Sequence, residues 1–155
     1  MDVLIITDVT TQDVPAIQKI EDASFPSPWS KQTFHNTITD PRCKNMVAWL
    51  GDNVVGYCFA LEMGNMVHLL NLAVKPECRR RGIGKRLLEE LISFAQHLQK
   101  NCVLLEVRKG NTVAKALYRN LKFTKVCTWK RYYLDTAEDA EVMIREVLGR
   151  GHEGS

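Results

Sequence analysis

A strand, a basic turn and a helix start follow one another between Asn71 and Gly84, and this order constrains the fold more than any other feature. The apolar residues 72–74 lead to Pro76, three consecutive arginines precede Gly82, and an amphipathic helix follows Gly84. The first N–H groups of a helix have no partner within it, and with the helix dipole they attract anions. Glycines let the backbone approach a ligand and adopt positive φ where needed. The segment therefore predicts a phosphate-binding turn.

The spacing of this turn excludes two common nucleotide-binding motifs. A dinucleotide fingerprint requires a third glycine three residues after Gly84, but that position is Leu87. A P-loop requires a glycine five residues before Gly84 and a serine or threonine after the lysine, but those positions are Arg79 and Arg86. The motif that remains is Arg79-x-x-Gly82-x-Gly84. By itself this segment also fits a solvated basic turn, because clusters of basic residues in loops usually face solvent.

Composition is that of an ordinary globular domain. The 155 residues are 45% hydrophobic and 25% charged, which suits one domain with a core that needs no disulfide or metal. The net charge of +3 is too small and too local to indicate nucleic-acid binding. With no signal peptide or membrane span expected, the predicted location is the cytoplasm. We predict a single domain over residues 1–148 and a flexible tail over residues 149–155.

The cysteines and histidines predict no metal site. Five cysteines are scattered without a CxxC spacing, which is typical of reduced, packed thiols. The four histidines, which lack ligand spacing, are expected in surface or core roles; they are His35, His68, His97 and His152.

Apolar periodicity predicts the order strand, two helices, antiparallel meander, helix, strand, helix, strand, strand. Ser30 is expected to cap the second helix, and Asn111 or Thr112 the fourth. The apolar face of the third helix is expected to reach Leu98. The predicted strands cover residues 2–7, 46–50, 54–62, 66–74, 103–107, 126–133 and 141–147. This order predicts an α/β (α+β) fold with a mixed, mostly antiparallel sheet of six to seven strands, flanked by about four helices, in which the 103–107 strand lies parallel to its neighbour.

Two side chains are candidates for chemistry. Glu106 lies in an apolar strand and points opposite to Leu105 and Val107, because side chains alternate along a strand. A buried carboxylate needs a partner or water, so an ion pair with Arg108 or another base is the alternative to a catalytic role. Tyr118 follows Glu106 by twelve residues and lies in a predicted helix. Its spacing alone favours a ring packed in the core with its hydroxyl at the surface.

Several segments together resemble the GNAT family of N-acetyltransferases, in particular its ribosomal-protein alanine N-acetyltransferases. Arg79-x-x-Gly82-x-Gly84 is similar to the family's acetyl-CoA signature. The other resembling segments are residues 25–30, 71–74, 105–108 with Asn111, 116–118 with Phe123, and 131–133 with 138–140. The resemblance covers nearly the whole chain in order.

The resemblance implies acetyl-CoA as cosubstrate, held by a splayed parallel pair of strands. It implies that backbone amides of the turn bind the pyrophosphate, and that the preceding strand binds the pantetheine and the acetyl carbonyl. Asn111 is implied as a further contact, with a plain helix cap as the alternative. The residues implied to bind acetyl-CoA are Leu72, Ala73, Val74, Arg79, Arg80, Arg81, Gly82, Ile83, Gly84, Lys85 and Asn111.

The resemblance also implies catalytic and acceptor-binding residues. Glu106 would be the general base, acting through water, and Tyr118 the general acid toward the CoA sulfur. The implied walls of the acceptor site are Phe25, Pro28 and Trp29 on one side and Tyr132 and Tyr133 on the other. The alternative for the proline–tryptophan loop is a hydrophobic plug between two helices.

The implied reaction is acetylation of the N-terminal alanine of a small-subunit ribosomal protein by direct attack of its α-amine. That amine has a pKa near 8, whereas deprotonating a lysine requires about 3 kcal/mol more at the same pH. The chemistry therefore favours an N-terminus as acceptor. Two alternatives stay open: the same fold acetylating a lysine or a small-molecule amine, and a non-catalytic module that binds CoA or docks on the ribosome. No metal, nucleic acid or membrane is expected as a partner.

Overall fold

The computed structural model describes residues 3–148. Residue 2, where the first strand was expected to begin, and the predicted tail of residues 149–155 lie outside the described residues. The helices are α1 (Val14–Ser24), α2 (Lys31–Thr39), α3 (Ile83–His97) and α4 (Thr112–Asn120). The strands are β1 (Leu4–Asp8), β2 (Cys43–Leu50), β3 (Asn53–Met63), β4 (Met66–Val74), β5 (Cys102–Arg108), β6 (Thr124–Tyr133) and β7 (Glu138–Glu146). Within residues 3–148, no helix has the length and apolar character required to cross a membrane.

The seven strands form one sheet in the order β1-β2-β3-β4-β5-β7-β6. The pairs β1–β2, β2–β3, β5–β7 and β6–β7 are antiparallel, and β4–β5 is parallel. The predicted element order and the mixed, mostly antiparallel sheet are therefore confirmed. Several predicted strands were too short, and the largest differences are at the starts of β2 and β7. β2 begins at Cys43 because that residue still pairs with Leu61, and β7 begins at Glu138 because it pairs with Tyr133.

Local hydrogen bonds explain where three helical segments begin. The Asp13 carboxylate accepts a hydrogen bond at 2.8 Å from the N–H of Thr10, just before α1. The hydroxyl of Ser30 accepts one at 3.1 Å from the backbone N–H three residues on, and Asn111 does the same at 3.1 Å. Each side chain satisfies an N–H group that the helix itself leaves unpaired. The predicted caps of α2 and α4 are thus confirmed.

The described chain comprises two compact units. One runs up to Glu62 and includes Leu70–Leu88, and the other combines Met63–Leu69 with the residues from Glu89 onward. The first unit has an aromatic core in which Phe34 lies 5.2 Å from Phe59 and 6.1 Å from Tyr57, between ring centroids. Its buried members are Val14, Ile17, Ile20, Phe34, Val47, Val54, Tyr57, Phe59 and Ala73. The prediction of a single domain stays a prediction.

The second unit is built around the antiparallel strands β5, β7 and β6. Its buried apolar residues include Val103, Leu105, Val107, Phe123, Ala140, Val142 and Met143. The Lys115 ammonium lies 3.0 Å from the Glu141 carboxylate, and both side chains are buried. This hydrogen bond holds the pKa of Glu141 below its usual range. The predicted position of Leu98 on the apolar face of α3 was wrong: α3 ends at His97, and Leu98 is exposed.

All five cysteines lie in the described chain as free thiols, in agreement with the expected reduced state. Cys58 is buried, and burial raises the pKa of its thiol to about 12. Cys127 is exposed on β6.

Gly56→Ala tests how tightly β3 packs in the first unit. A Cβ at position 56 would lie 3.0 Å from the Ala73 carbonyl oxygen and 3.3 Å from side-chain carbons of Ile83 and Leu87. Because a backbone oxygen cannot move without shifting β4, we expect the free energy of unfolding to fall by about 1–3 kcal/mol. Urea denaturation measures this change. An unchanged midpoint would mean that the strand accommodates a methyl group and that the contact is not tight.

Candidate active site

The glycine turn lies in the first unit, between β4 and α3. Gly82 has φ = +79°, and a side chain there would meet no atom within 4 Å, so backbone conformation rather than space favours glycine at this position. The Gly82 carbonyl accepts the first intrahelical bond, from the N–H of Arg86 at 3.0 Å. The N–H groups that precede Arg86 in this turn have no partner within the helix. The 15-residue helix α3 thus begins at a turn with free space beside Gly82. This arrangement is the one expected of an anion site.

The arginines of this turn differ in what they contact. The Nε of Arg79 donates to the Val74 carbonyl at 3.0 Å, and one of its terminal nitrogens donates to the Ser24 hydroxyl at 3.1 Å. Arg79 therefore braces the turn against the end of β4 and the end of α1. Arg80 and Arg81 are exposed, and Arg80 has φ = +65°. Their charges contribute to a positive field around the helix start.

Glu106 lies on β5 in the second unit, with 11% of its side chain exposed. Its Oε2 is 2.6 Å from the Nε2 of His68, and its Oε1 is 3.4 Å from the hydroxyl of Tyr132. The predicted alternation of the strand is confirmed, because residues 105 and 107 are buried on the other face. Of the partners expected for Glu106, Arg108 is contradicted, because two of its guanidinium nitrogens contact the two Asp135 carboxylate oxygens at 2.8 and 2.9 Å. The other expected partner, another basic residue, is His68.

Strand register brings His68 to Glu106. The parallel ladder pairs Met66 with Cys102, and it ends with His68 beside Leu104. Glu106 is two residues beyond Leu104 and therefore lies on the same face. Sequence reasoning assigned His68 a default surface or core role. The position of the His68 ring in a half-buried strand was a usable signal. Its pairing with Glu106 depends on the register of β4 and β5, which the sequence pattern does not reveal.

Tyr132 and Tyr133 form an aromatic group with Trp129 at the end of β6. The rings of Tyr132 and Tyr133 lie 5.1 Å apart, and Trp129 lies 5.2 Å from Tyr132. Burial, together with the charge of Glu106, raises the pKa of Tyr132. Burial also raises the pKa of Tyr133 to about 12, although the Arg108 guanidinium 4.1 Å from its ring opposes the shift. Both phenols are therefore neutral hydrogen-bond donors at neutral pH.

The contacts of Tyr118 and Asn111 agree with structural roles, a packed ring for Tyr118 and a helix cap for Asn111. The Tyr118 ring is buried on α4, with its centroid 5.7 Å from that of Phe123. The Asn111 side chain accepts the N–H of Ala114 as a helix cap. Neither contact tests the roles that the resemblance implies, and those roles stay predictions.

The tryptophan of the proline–tryptophan loop packs into the hydrophobic core, as the alternative of a hydrophobic plug predicts. The Trp29 ring centroid lies 5.2 Å from that of Phe34 and 5.7 Å from that of Phe59, so the ring belongs to the core of the first unit. Phe25 is half-buried against the same core. Pro28 is exposed. Of the three residues expected to form an acceptor wall, Pro28 is thus the one that solvent reaches most fully.

Glu21 anchors this loop through a buried carboxylate, which sequence reasoning missed. Glu21 is 1% exposed, and one of its oxygens accepts the N–H of Trp29 at 2.8 Å. The other accepts the Tyr57 hydroxyl at 2.6 Å and the Asn71 amide at 2.8 Å. Burial and this carboxylate raise the pKa of Tyr57 far above its usual range. The loop is therefore fixed to α1, β3 and β4 by one side chain.

The comparison with known families identifies the class of this protein. The sequence profile of the acetyltransferase (GNAT) family matches residues 14–123, which is most of the chain, so the protein belongs to this family. The resemblance found in the sequence is confirmed, and the chain is an N-acetyltransferase.

Relatives within the family narrow the class. The ribosomal protein bS18-alanine N-acetyltransferase of Salmonella typhimurium is 35% identical over 141 residues, which are 89% of this chain and 94% of the relative. The N-alpha-acetyltransferase RimI of Mycobacterium tuberculosis is 36% identical over 125 residues, 77% of this chain and 76% of the relative. The crystal structure of the ribosomal-protein-S18-alanine N-acetyltransferase of Escherichia coli superposes with a TM-score of 0.87 at 31% identity, covering 94% of each chain.

Glu21→Leu tests the anchoring carboxylate. The variant leaves three donors without an acceptor, and each buried unsatisfied group costs about 1–3 kcal/mol. We expect the free energy of unfolding, measured by urea denaturation, to fall by about 3 kcal/mol or more. Asp22→Leu is the matched control, because Asp22 is the exposed neighbour on the same helix. Equal losses in the two variants would contradict the anchoring role.

Proposed function

We propose that this chain transfers the acetyl group of acetyl-CoA to the α-amine of the N-terminal alanine of a small-subunit ribosomal protein, in the cytoplasm. The observation that carries the chemistry is Glu106, a largely buried carboxylate with a close donor on one oxygen and only a distant one on the other. The relatives named for this reaction support the choice of acceptor.

Acetyl-CoA is proposed to bind through backbone groups. The pyrophosphate would accept hydrogen bonds from N–H groups in the stretch Arg80, Arg81, Gly82, Ile83, Gly84 and Lys85. The open turn at Gly82 and the exposed basic side chains support this placement. Leu72, Ala73 and Val74 would bind the pantetheine and the acetyl carbonyl. A backbone N–H at Val74 that polarises the thioester oxygen would contribute about 2.7–4 kcal/mol to the transition state.

The reaction then needs one base and one acid. The amine nitrogen forms a bond to the acetyl carbon, and the bond from that carbon to sulfur breaks. Glu106 accepts the proton that the amine loses, directly or through a water molecule. Tyr118, whose ring Phe123 holds in place, gives its phenol proton to the departing thiolate.

Two sets of residues, one in each unit, are proposed to contact the acceptor. The first set is Phe25, Pro28 and Trp29, and the second is Tyr132 and Tyr133. Tyr132 is 45% exposed and its phenol is neutral, so it can donate to a peptide carbonyl. An α-amine, with a pKa near 8, is partly neutral at neutral pH and needs only a modest base.

An acetylation assay with two peptides tests the acceptor and the two catalytic residues. We expect intact-mass analysis to show one added acetyl group on a ribosomal peptide with N-terminal alanine. A peptide with a blocked N-terminus and a free lysine should show none. Glu106→Gln and Tyr118→Phe should each lower kcat by about 100-fold or more, since general acid–base groups contribute 10²–10⁴. Glu89→Gln, an exposed acid on α3, is the control.

Two outcomes would contradict the proposed function. Acetylation of the lysine or of small-molecule amines, without the N-terminus, would replace the acceptor. Binding of acetyl-CoA with no product from any amine would make the chain a non-catalytic module.

Gly82→Ala tests the proposed pyrophosphate site. A side chain at φ = +79° strains the turn by about 1–2 kcal/mol, so we expect the KM for acetyl-CoA to rise roughly 5- to 30-fold while the KM for the peptide stays unchanged. Gly64→Ala is the matched control, because Gly64 has φ = +57° and also meets no atom within 4 Å. A similar rise in both variants would show that lost stability, rather than a phosphate contact, is the cause.

A further inference from the structure

The side chains of His68 on β4 and Glu106 on the adjacent strand β5 are in direct contact. The Nε2 of His68 lies 2.6 Å from Oε2 of Glu106, and the two side chains are 20% and 11% exposed. Both residues belong to the second unit, where His68 closes the parallel ladder of β4 and β5. Neighbouring backbone positions on paired strands are rigid, so the contact has a fixed geometry.

The chemistry of the two groups sets the direction of this hydrogen bond. A carboxylate that acts as a base only accepts hydrogen bonds, so in the proposed role of Glu106 the Nε2 of His68 would be the donor. The bond holds Oε2 and fixes the orientation of the carboxylate. The other oxygen, Oε1, has the Tyr132 hydroxyl at 3.4 Å, beyond the 2.5–3.0 Å range of O–H···O bonds. Oε1 is therefore the more available proton acceptor.

The neighbouring cation does not compete for the carboxylate. Arg108 lies on the same face of β5, two residues from Glu106, but its guanidinium engages both oxygens of Asp135 at 2.8 and 2.9 Å. Arg108 also covers the Tyr133 ring at 4.1 Å. His68 is thus the close donor to Glu106 among the contacts that the described residues make.

We propose that His68 is a positioning residue for the reaction: it donates its Nε2 proton to Oε2 of Glu106 and leaves Oε1 to receive the proton of the acceptor amine. In this step the amine proton moves to Oε1, directly or through one water molecule, and the imidazole keeps its own proton. The proposal rests on the proposed role of Glu106 as the base.

A double-mutant cycle separates positioning from simple packing. His68→Leu should lower kcat by about 10- to 100-fold, while the KM for acetyl-CoA stays within about twofold. His68→Gln places an amide donor near the former Nε2 and should recover most of the rate. His97→Leu, at an exposed histidine of α3, should leave kcat unchanged.

The decisive comparison is made in the Glu106→Gln background. If His68 acts through Glu106, His68→Leu adds no further loss of kcat to Glu106→Gln, because the interaction that it supports is already gone. A full additional loss in the double variant would overturn the proposal, and so would equal losses in His68→Leu and His68→Gln.

Nuclear magnetic resonance gives a readout that does not depend on activity. A long-range ¹H–¹⁵N spectrum of the full chain, assigned with His68→Gln, should show a protonated Nε2 whose signal shifts in Glu106→Gln. An unprotonated Nε2 in the wild-type protein would overturn the proposal even if activity falls. If the wild-type chain acetylates no amine, the proposed function fails together with the positioning role, whereas the spectrum still reports whether this hydrogen bond exists.

Discussion

Three residue pairs join β4 to β5 in parallel, and the arrangement of the candidate base depends on them. The ladder runs from Met66 with Cys102 to His68 with Leu104, and β5 continues to Glu106. A slip of one residue would turn every side chain of one strand to the opposite face. The His68–Glu106 hydrogen bond would then be lost. A ladder of three residue pairs therefore fixes the contact between His68 and Glu106.

Two glutamates show how hydrogen-bond partners separate a structural carboxylate from a reactive one. Glu21 is buried and accepts three hydrogen bonds of 2.6–2.8 Å, so both of its oxygens are satisfied. Glu106 has one short contact and one long one, and part of its side chain reaches solvent. A fully satisfied carboxylate gains little from accepting a proton, whereas one with an available oxygen can accept it. Glu21 thus braces the first unit, and Glu106 is the candidate for chemistry.

Features set by neighbouring residues were readable from the sequence, and features set by strand register or tertiary packing were not. The glycine turn was predicted because a strand, two glycines and a helix lie within a few residues of one another. The caps at Ser30 and Asn111 depend on an N–H three residues away. The sequence offered Arg108 or another base as the partner of Glu106 and did not single out His68, because His68 is 38 residues distant. Glu21 was missed because a helical pattern does not reveal which polar residue turns inward.

A crystal structure of the chain with a CoA conjugate of an alanine-initiated peptide would test the account most directly. We expect the pyrophosphate oxygens within hydrogen-bond distance of backbone N–H groups between Arg80 and Lys85. We expect the alanine nitrogen within reach of Oε1 of Glu106, directly or through one water molecule. A conjugate with its pyrophosphate away from the glycine turn, or with its alanine nitrogen remote from Glu106, would contradict the account.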